Sequence, residues 1–192
     1  MEDTSLDIRE RIIEATIEEF NDKGTKLTMD GVAKRLSMSK KTLYTIFKDK
    51  EELIIETVEY CFTDVKKGEQ KILEDPTLDL VEKIKRIIIV LPENFTNIDY
   101  RKLYDLKAQY PKIYRRIEER IENDWEPTIA LLEEGMRQGK IRKISIPILK
   151  AMVEATMEHF ITSTLLIDEE VCYTDALNEM MEILMRGIRM PE

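Results

Sequence analysis

The chain has 192 residues, 39 acidic against 30 basic side chains, a formal net charge of −9 and a pI near 4.9. At 43% hydrophobic and 36% charged it has the composition of a folded globular protein, not a disordered one. Six glycines and six prolines are about half the usual share, which argues against a turn-rich all-β fold.

In chain order, almost every segment repeats its apolar residues at helical spacing, and none sustains the alternation of a half-buried strand. The expected fold class is all-α. The first helix is expected over residues 6–23, with Ile8, Ile12, Ala15 and Glu19 along one edge, Ile13, Ile17 and Phe20 beside them, and Gly24 as its stop. Thr28 is placed to cap a short second helix ending near Leu36, Ser37 and Met38 form a tight turn, and Ser39 caps a third helix over 40–47. Asp49 and Glu52 resemble a capping box and open a long fourth helix to about Leu73. Glu74-Asp75-Pro76 is the expected break between modules. Further helices are expected over 78–94, 100–109 and 111–138, the last kinked by Pro127 in its interior and ended by Gly139. Ser145 and Pro147 open another to about Ile167, and a final helix covers 174–189.

Other features bound the setting. Cys61 and Cys172 are too few for a disulfide framework, so a reducing compartment suits them. The N-terminus is acidic and lacks the apolar run of a signal peptide. The longest aliphatic run, Ile87 to Leu91, falls far short of the ~20 residues of a membrane span. A cytoplasmic protein with no membrane partner is expected.

The segment from Gly24 to Leu53 carries the most information. Val32, Leu36, Met38, Leu43 and Ile46 have the spacing that locks two short helices across a tight turn, and Ala33 is small where the axes approach. This is the pattern of a helix-turn-helix, whose second helix enters the DNA major groove. Between Lys23 and Lys50 there are eight basic side chains (Lys23, Lys26, Lys34, Arg35, Lys40, Lys41, Lys48, Lys50) and two acidic ones (Asp30, Asp49), a local charge of +6. Residues 1–22 sum to −6, so the basic patch is sharply bounded. The acidic average taken alone argues against a polyanion partner; its distribution argues for one. The plainer alternative is a pair of short core helices with a solvated lysine face.

The run from Met38 to Leu53, with Ser39, Thr42, Leu43, Tyr44 and Phe47 followed by Lys50, Glu51 and Leu53, resembles the signature of the tetracycline-repressor (TetR) family of transcriptional regulators. Ile12, Ile13, Ala15, Phe20, Gly24, Leu27, Thr28, Val32 and Ala33 agree with it upstream, so the resemblance covers roughly residues 8–54. Two positions depart from the pattern: Ser37 and Lys41 stand where glycine is common. A serine at that turn must either accept a left-handed backbone, at ~1 kcal/mol, or alter the turn.

Position assigns roles to the exposed side chains. Thr28 and Lys50 begin helices, whose free N–H groups attract phosphate. Tyr44 lies one turn into the recognition helix, within reach of a phosphate oxygen, and the resemblance implies phosphate contacts for Tyr44 and Lys50. Ser39, Lys40, Lys41 and Thr42 form the first turn of that helix and are expected at base edges. With Lys48 these make the expected DNA-binding set, while Leu43, Ile46 and Phe47 pack the module. The expected organisation is a DNA-binding domain over 1–50, a linking helix over 51–75, and an effector-binding and dimerisation domain over 76–192.

One such module buries too little surface for tight binding, so a dimer reading two half-sites is expected. The stripes Leu149, Val153, Met157 and Phe160 and Leu177, Met180, Met181, Leu184 and Ile188 either close the monomer core or form the interface. Periodicity does not separate these cases; the resemblance implies a four-helix interface. For a ligand pocket the candidates are Phe95, Tyr104, Trp125, Met136, Met152 and His159, with core packing as the plainer role of such Met and aromatic residues. A kink at Pro127 beside Trp125 would open a cavity between helices. No catalytic residue, metal site or cofactor is expected: His159 and Cys172 have no ligand-like spacing, and the glycines form no phosphate-cradling loop. The resemblance implies a repressor that binds operator DNA as a homodimer and is released by a small-molecule effector. The rival is a helical protein-interaction or DNA-organising protein without such a ligand.

Overall fold

In the computed structural model, residues 2–91 and 101–190 are described, apart from the side chains of 2–7, 101, 103 and 104. The elements are helices α1 (Glu2–Lys23), α2 (Met29–Arg35), α3 (Lys40–Ile46), α4 (Lys50–Glu74), α5 (Leu80–Ile88), α6 (Arg101–Gln109), α7 (Pro111–Glu122), α8 (Glu126–Arg137), α9 (Ile146–Thr162), α10 (Leu165–Asp168) and α11 (Tyr173–Ile188), with a 3-10 turn at Gly24–Lys26. No strand occurs among the described residues, so the chain is all-α as its periodicity predicts.

Local chemistry sets the first four helices. Thr28 Oγ1 accepts the Gly31 N–H at 3.0 Å, Ser39 Oγ accepts the Thr42 N–H at 3.1 Å, and Asp49 Oδ1 accepts the Glu52 N–H at 2.9 Å. Each cap contributes about 1 kcal/mol. The α2–α3 turn closes with the Met38 N–H on the Ala33 carbonyl and the Ser37 N–H on the Lys34 carbonyl. That two-bond C-terminal pattern requires a left-handed residue, and Ser37 supplies it at φ +51°.

Ile12, Ile13, Val32, Leu43, Phe47 and Leu53 form the core of this module, each at most 5% exposed. Glu19 is also buried there, held by Lys23 at 2.6 Å and by Arg35 at 2.7 Å. Burial pushes its carboxyl pKa up, but the hydrogen bonds and charges of Lys23 and Arg35 outweigh that and hold it below the ordinary value. Gly31 packs against this carboxylate, and a Cβ at that position would collide with it.

A second core joins α5, α7, α8, α9 and α11 around Ile84, Leu132, Val153, Leu177 and Met181. A third, smaller one, of Leu27, Ile54, Leu106 and Ile113, fastens α4 to α6 and α7 beneath the 3-10 turn. The three-helix head and the bundle are thereby packed together directly, in addition to sharing α4.

The structure departs from the expected helices at three places. Residues 111–138 are not one kinked rod but two helices, with Asp124 at φ +66° between them. Pro127 lies in the first turn of α8, where its missing N–H has no helical acceptor to lose. The helix from Ser145 stops at Thr162, and the short α10 follows. The expected helix over 78–94 ends at Ile88, with its last residues outside the described ones.

Candidate nucleic-acid interface and internal cavity

Of the eight side chains expected at DNA, all but Lys50 are exposed. Ser39, Lys40, Lys41, Thr42 and Tyr44 are exposed on α3, and Lys48 is exposed just beyond it. Thr28, Lys40, Tyr44 and Lys50 line one shallow polar depression, so the start of α2 and the recognition helix share a surface. Leu43 and Phe47 are fully buried, as packing residues of a recognition helix must be.

The charges of this surface are not equivalent. Arg35 is turned inward to Glu19 and also pairs with Asp22, and Lys40 pairs with Asp30 at 3.1 Å. Lys50 is half-buried: its ammonium donates to the Thr25 carbonyl at 2.9 Å and lies 5.1 Å from the centre of the Tyr110 ring. Tyr110 begins α7, so this lysine ties the DNA-facing end of α4 to the bundle. No sequence signal links Lys50 to Tyr110.

Beneath the head lies a cavity of about 240 Å³. One face of α4 lines it continuously, through Ile54, Thr57, Val58, Cys61, Phe62, Val65, Lys66 and Glu69. At about 1.5 Å per residue that stripe runs about 22 Å. Thr16, Ile17 and Phe20 of α1 and Leu27 close it on the head side, where Phe20 and Leu27 pack with Ile54 and Val58. The aliphatic run Ile87 to Leu91 forms another wall. Charge gathers at the other end. Lys66 pairs with Glu69 at 2.9 Å and donates to the Asp124 carbonyl at 3.0 Å, and Arg120 pairs with Asp124 at 3.3 Å and with Glu59.

Of the described pocket candidates read from sequence, only Trp125 lines this cavity. Met136 packs against the bundle core and accepts the Ile144 N–H, while Met152 and His159 are exposed on the outer face of α9. Phe95 and the side chain of Tyr104 lie outside the described residues. The cavity's main wall went unnoticed in sequence. Its signal was present: the stripe on α4 continues for about two turns past Cys61, the last α4 residue that the head core uses.

The interface candidates divide in the same way. Leu149, Val153, Leu177, Met180, Met181 and Ile188 are buried in the protomer's own core. Met157 and Leu177 line the cavity, Leu184 is half-buried, and Phe160 packs edge-on against Tyr173 at 6.3 Å. The exposed apolar side chains of these two helices are others: Ile148 and Met152 on α9, 63% and 51% exposed, and Ile183 on α11, 65% exposed. Among the described residues, no group of three or more His, Cys, Asp or Glu could hold a metal ion, and no helix is long and apolar enough to cross a membrane.

Residues 12–57 match the profile of the bacterial regulatory proteins of the tetR family. YvaF of Bacillus subtilis (strain 168), an uncharacterized HTH-type transcriptional regulator, is 26% identical over 182 residues, 95% of this chain and 96% of YvaF. A TetR-family transcriptional regulator from Cytophaga hutchinsonii shares the fold at a TM-score of 0.68 and 19% identity, over 98% of both chains. The transcriptional regulator FadR of Bacillus subtilis, solved in complex with stearoyl-CoA, does so at 0.59 and 20% identity, over 94% of this chain and 99% of FadR. The profile match falls on the capped helix-turn-helix with its exposed cationic face, and the shared fold extends over the bundle behind it. Residues 12–57 thus carry the DNA-binding module of the tetR family of bacterial regulatory proteins, set on a helical bundle whose fold these transcriptional regulators share.

Proposed function

We propose that this regulator is a repressor that binds operator DNA as a homodimer in the cytoplasm and is released by a small molecule entering the cavity. Residues 1–50 read the DNA, the helix over 51–75 transmits, and 76–192 sense the effector and dimerise. The observation that carries this reading is the shared wall of the cavity: α1 of the head and α8, α9 and α11 of the bundle line the same space. An occupant therefore contacts both parts at once. The stearoyl-CoA bound by FadR supports a ligand role for a bundle of this fold. Half-sites recur about 34 Å apart along one face of the duplex, so a change of a few ångströms between two heads prevents simultaneous docking.

Base contacts fall to Ser39, Lys40, Lys41 and Thr42, and phosphate contacts to Thr28, Tyr44, Lys48 and Lys50. Operator fragments selected from genomic DNA by the purified protein test the assignment. Lys50→Ala is expected to weaken binding to every sequence alike and to lower the slope of log affinity against log salt by about 1. Lys41→Ala is expected to change sequence preference, by about 1–3 kcal/mol at one base pair. Wild-type selectivity in Lys41→Ala would remove that residue from the base-reading set. A protein whose operator affinity answers to no small molecule would instead be organising DNA.

A further inference from the structure

The chemistry of the cavity wall restricts its occupant. On the α1 and α4 walls the polar side-chain atoms have partners on their own helices: Thr16 donates to the Ile12 carbonyl at 2.7 Å, Thr57 to Leu53 at 2.8 Å, and Cys61 to Thr57 at 2.7 Å. Trp125 Nε1 likewise donates to the Ile121 carbonyl at 2.9 Å. A polar group in mid-shaft would lose its water and find these donors engaged, which weakens binding roughly 5- to 150-fold. Among the described residues the charged side chains of the lining are Lys66, Glu69, Arg120 and Asp124: Lys66 and Glu69 lie about 18 and 22 Å of helix beyond Ile54, and Arg120 reaches back to Glu59.

From this shape we infer that the effector is an unbranched alkyl-chain amphiphile. Its polar head lies at Lys66 and Arg120, its chain runs along α4, and its terminal methyl reaches Ile17 and Phe20 of the DNA-reading module. The inference rests on the effector-regulated reading above and adds a mechanism of selection. A short chain fills the bundle end and leaves α1 untouched; a long chain presses on the helix that supports the recognition helix. Binding and DNA release therefore have different chain-length dependences. Each further methylene strengthens binding by about fourfold, whereas release begins only once the chain spans the shaft.

Trp125 is the one tryptophan of the chain and lines the cavity, so its fluorescence reports occupancy without any operator. The experiment titrates octanoate, dodecanoate and palmitate, and their CoA thioesters, into the full-length protein. Fluorescence and release of a selected operator fragment are followed in parallel. The expected result is saturable fluorescence change for dodecanoyl and palmitoyl chains, with operator release by palmitoyl alone. The free acid and the thioester arms decide which head group Lys66 and Arg120 accept. Val58→Phe, which narrows the shaft near its head end, should lower palmitoyl affinity at least tenfold and leave octanoyl affinity unchanged. A thermal melt matching wild type shows that it folds.

Palmitoyl chains binding Val58→Phe as tightly as wild type, or no chain-bearing probe changing the fluorescence, would overturn the inference. In the second case, operator release by a chain-free metabolite would leave the repressor reading standing. Palmitoyl chains that bind tightly and never release operator would sink the length-dependent release, whereas a chain that releases no DNA under any ligand would count against the repressor reading itself.

Discussion

At Ser37 the head accepts a locally unfavourable residue for the sake of its turn. The left-handed backbone there is needed for the two hydrogen bonds that end α2 and aim α3, and a side chain in that conformation costs about 1 kcal/mol. Glycine removes the clash, although it also enlarges the entropy of the unfolded chain. Ser37→Gly is therefore expected to raise stability by up to about 1 kcal/mol with operator selectivity intact, measured by urea denaturation. A loss of stability would mean that the serine hydroxyl contributes more than the backbone strain costs. Residue-scale chemistry of this kind was legible in sequence. The caps at Thr28, Ser39 and Asp49 and the strain at Ser37 depend on neighbours within a few positions. Lys50 shows the limit, because its partner Tyr110 is brought near only by the packing of α6 and α7 under the head.

At the scale of elements, hydrophobic period reveals that a face is covered without revealing what covers it. The stripes on α9 and α11 were read correctly as apolar faces, yet Leu149, Val153, Leu177 and Met181 turn toward their own core. The apolar side chains left exposed are those at the rim of the stripe, which the proposed dimer would use: Ile148 and Met152 follow each other by one turn on α9, and Ile183 stands out from α11. Ile183→Glu is thus expected to give a monomer by light scattering at micromolar concentration, with its helical circular dichroism retained, because the position supports no core contact. A dimeric mass for this variant would move the interface elsewhere. The break between α7 and α8 was misread for a related reason. Proline signals an interruption in both cases, but a kink and a fresh helix start differ only in whether the preceding residue stays helical. Here Asp124 leaves the helix.

Across the whole molecule the acidic total of −9 conceals a segment of +6 over residues 23–50, set between acidic stretches on either side. Under the proposed function the cavity couples the two halves, and coupling of this kind is reciprocal. If palmitoyl-CoA lowers operator affinity by some factor, operator must lower palmitoyl-CoA affinity by the same factor, ordinarily about 5–150-fold. Fluorescence of Trp125 titrated with palmitoyl-CoA in the presence and absence of saturating operator measures one side of the cycle, and operator binding at fixed palmitoyl-CoA measures the other. Equal factors are expected, because a chain touching Ile17 and Phe20 and a duplex touching Tyr44 and Lys41 compete for positions of one small rigid head. Operator release with no change in palmitoyl-CoA affinity would break that equality. It would identify the release as detergent action on the protein, since a bound effector acting through a conformational equilibrium has no means of shifting only one side of it.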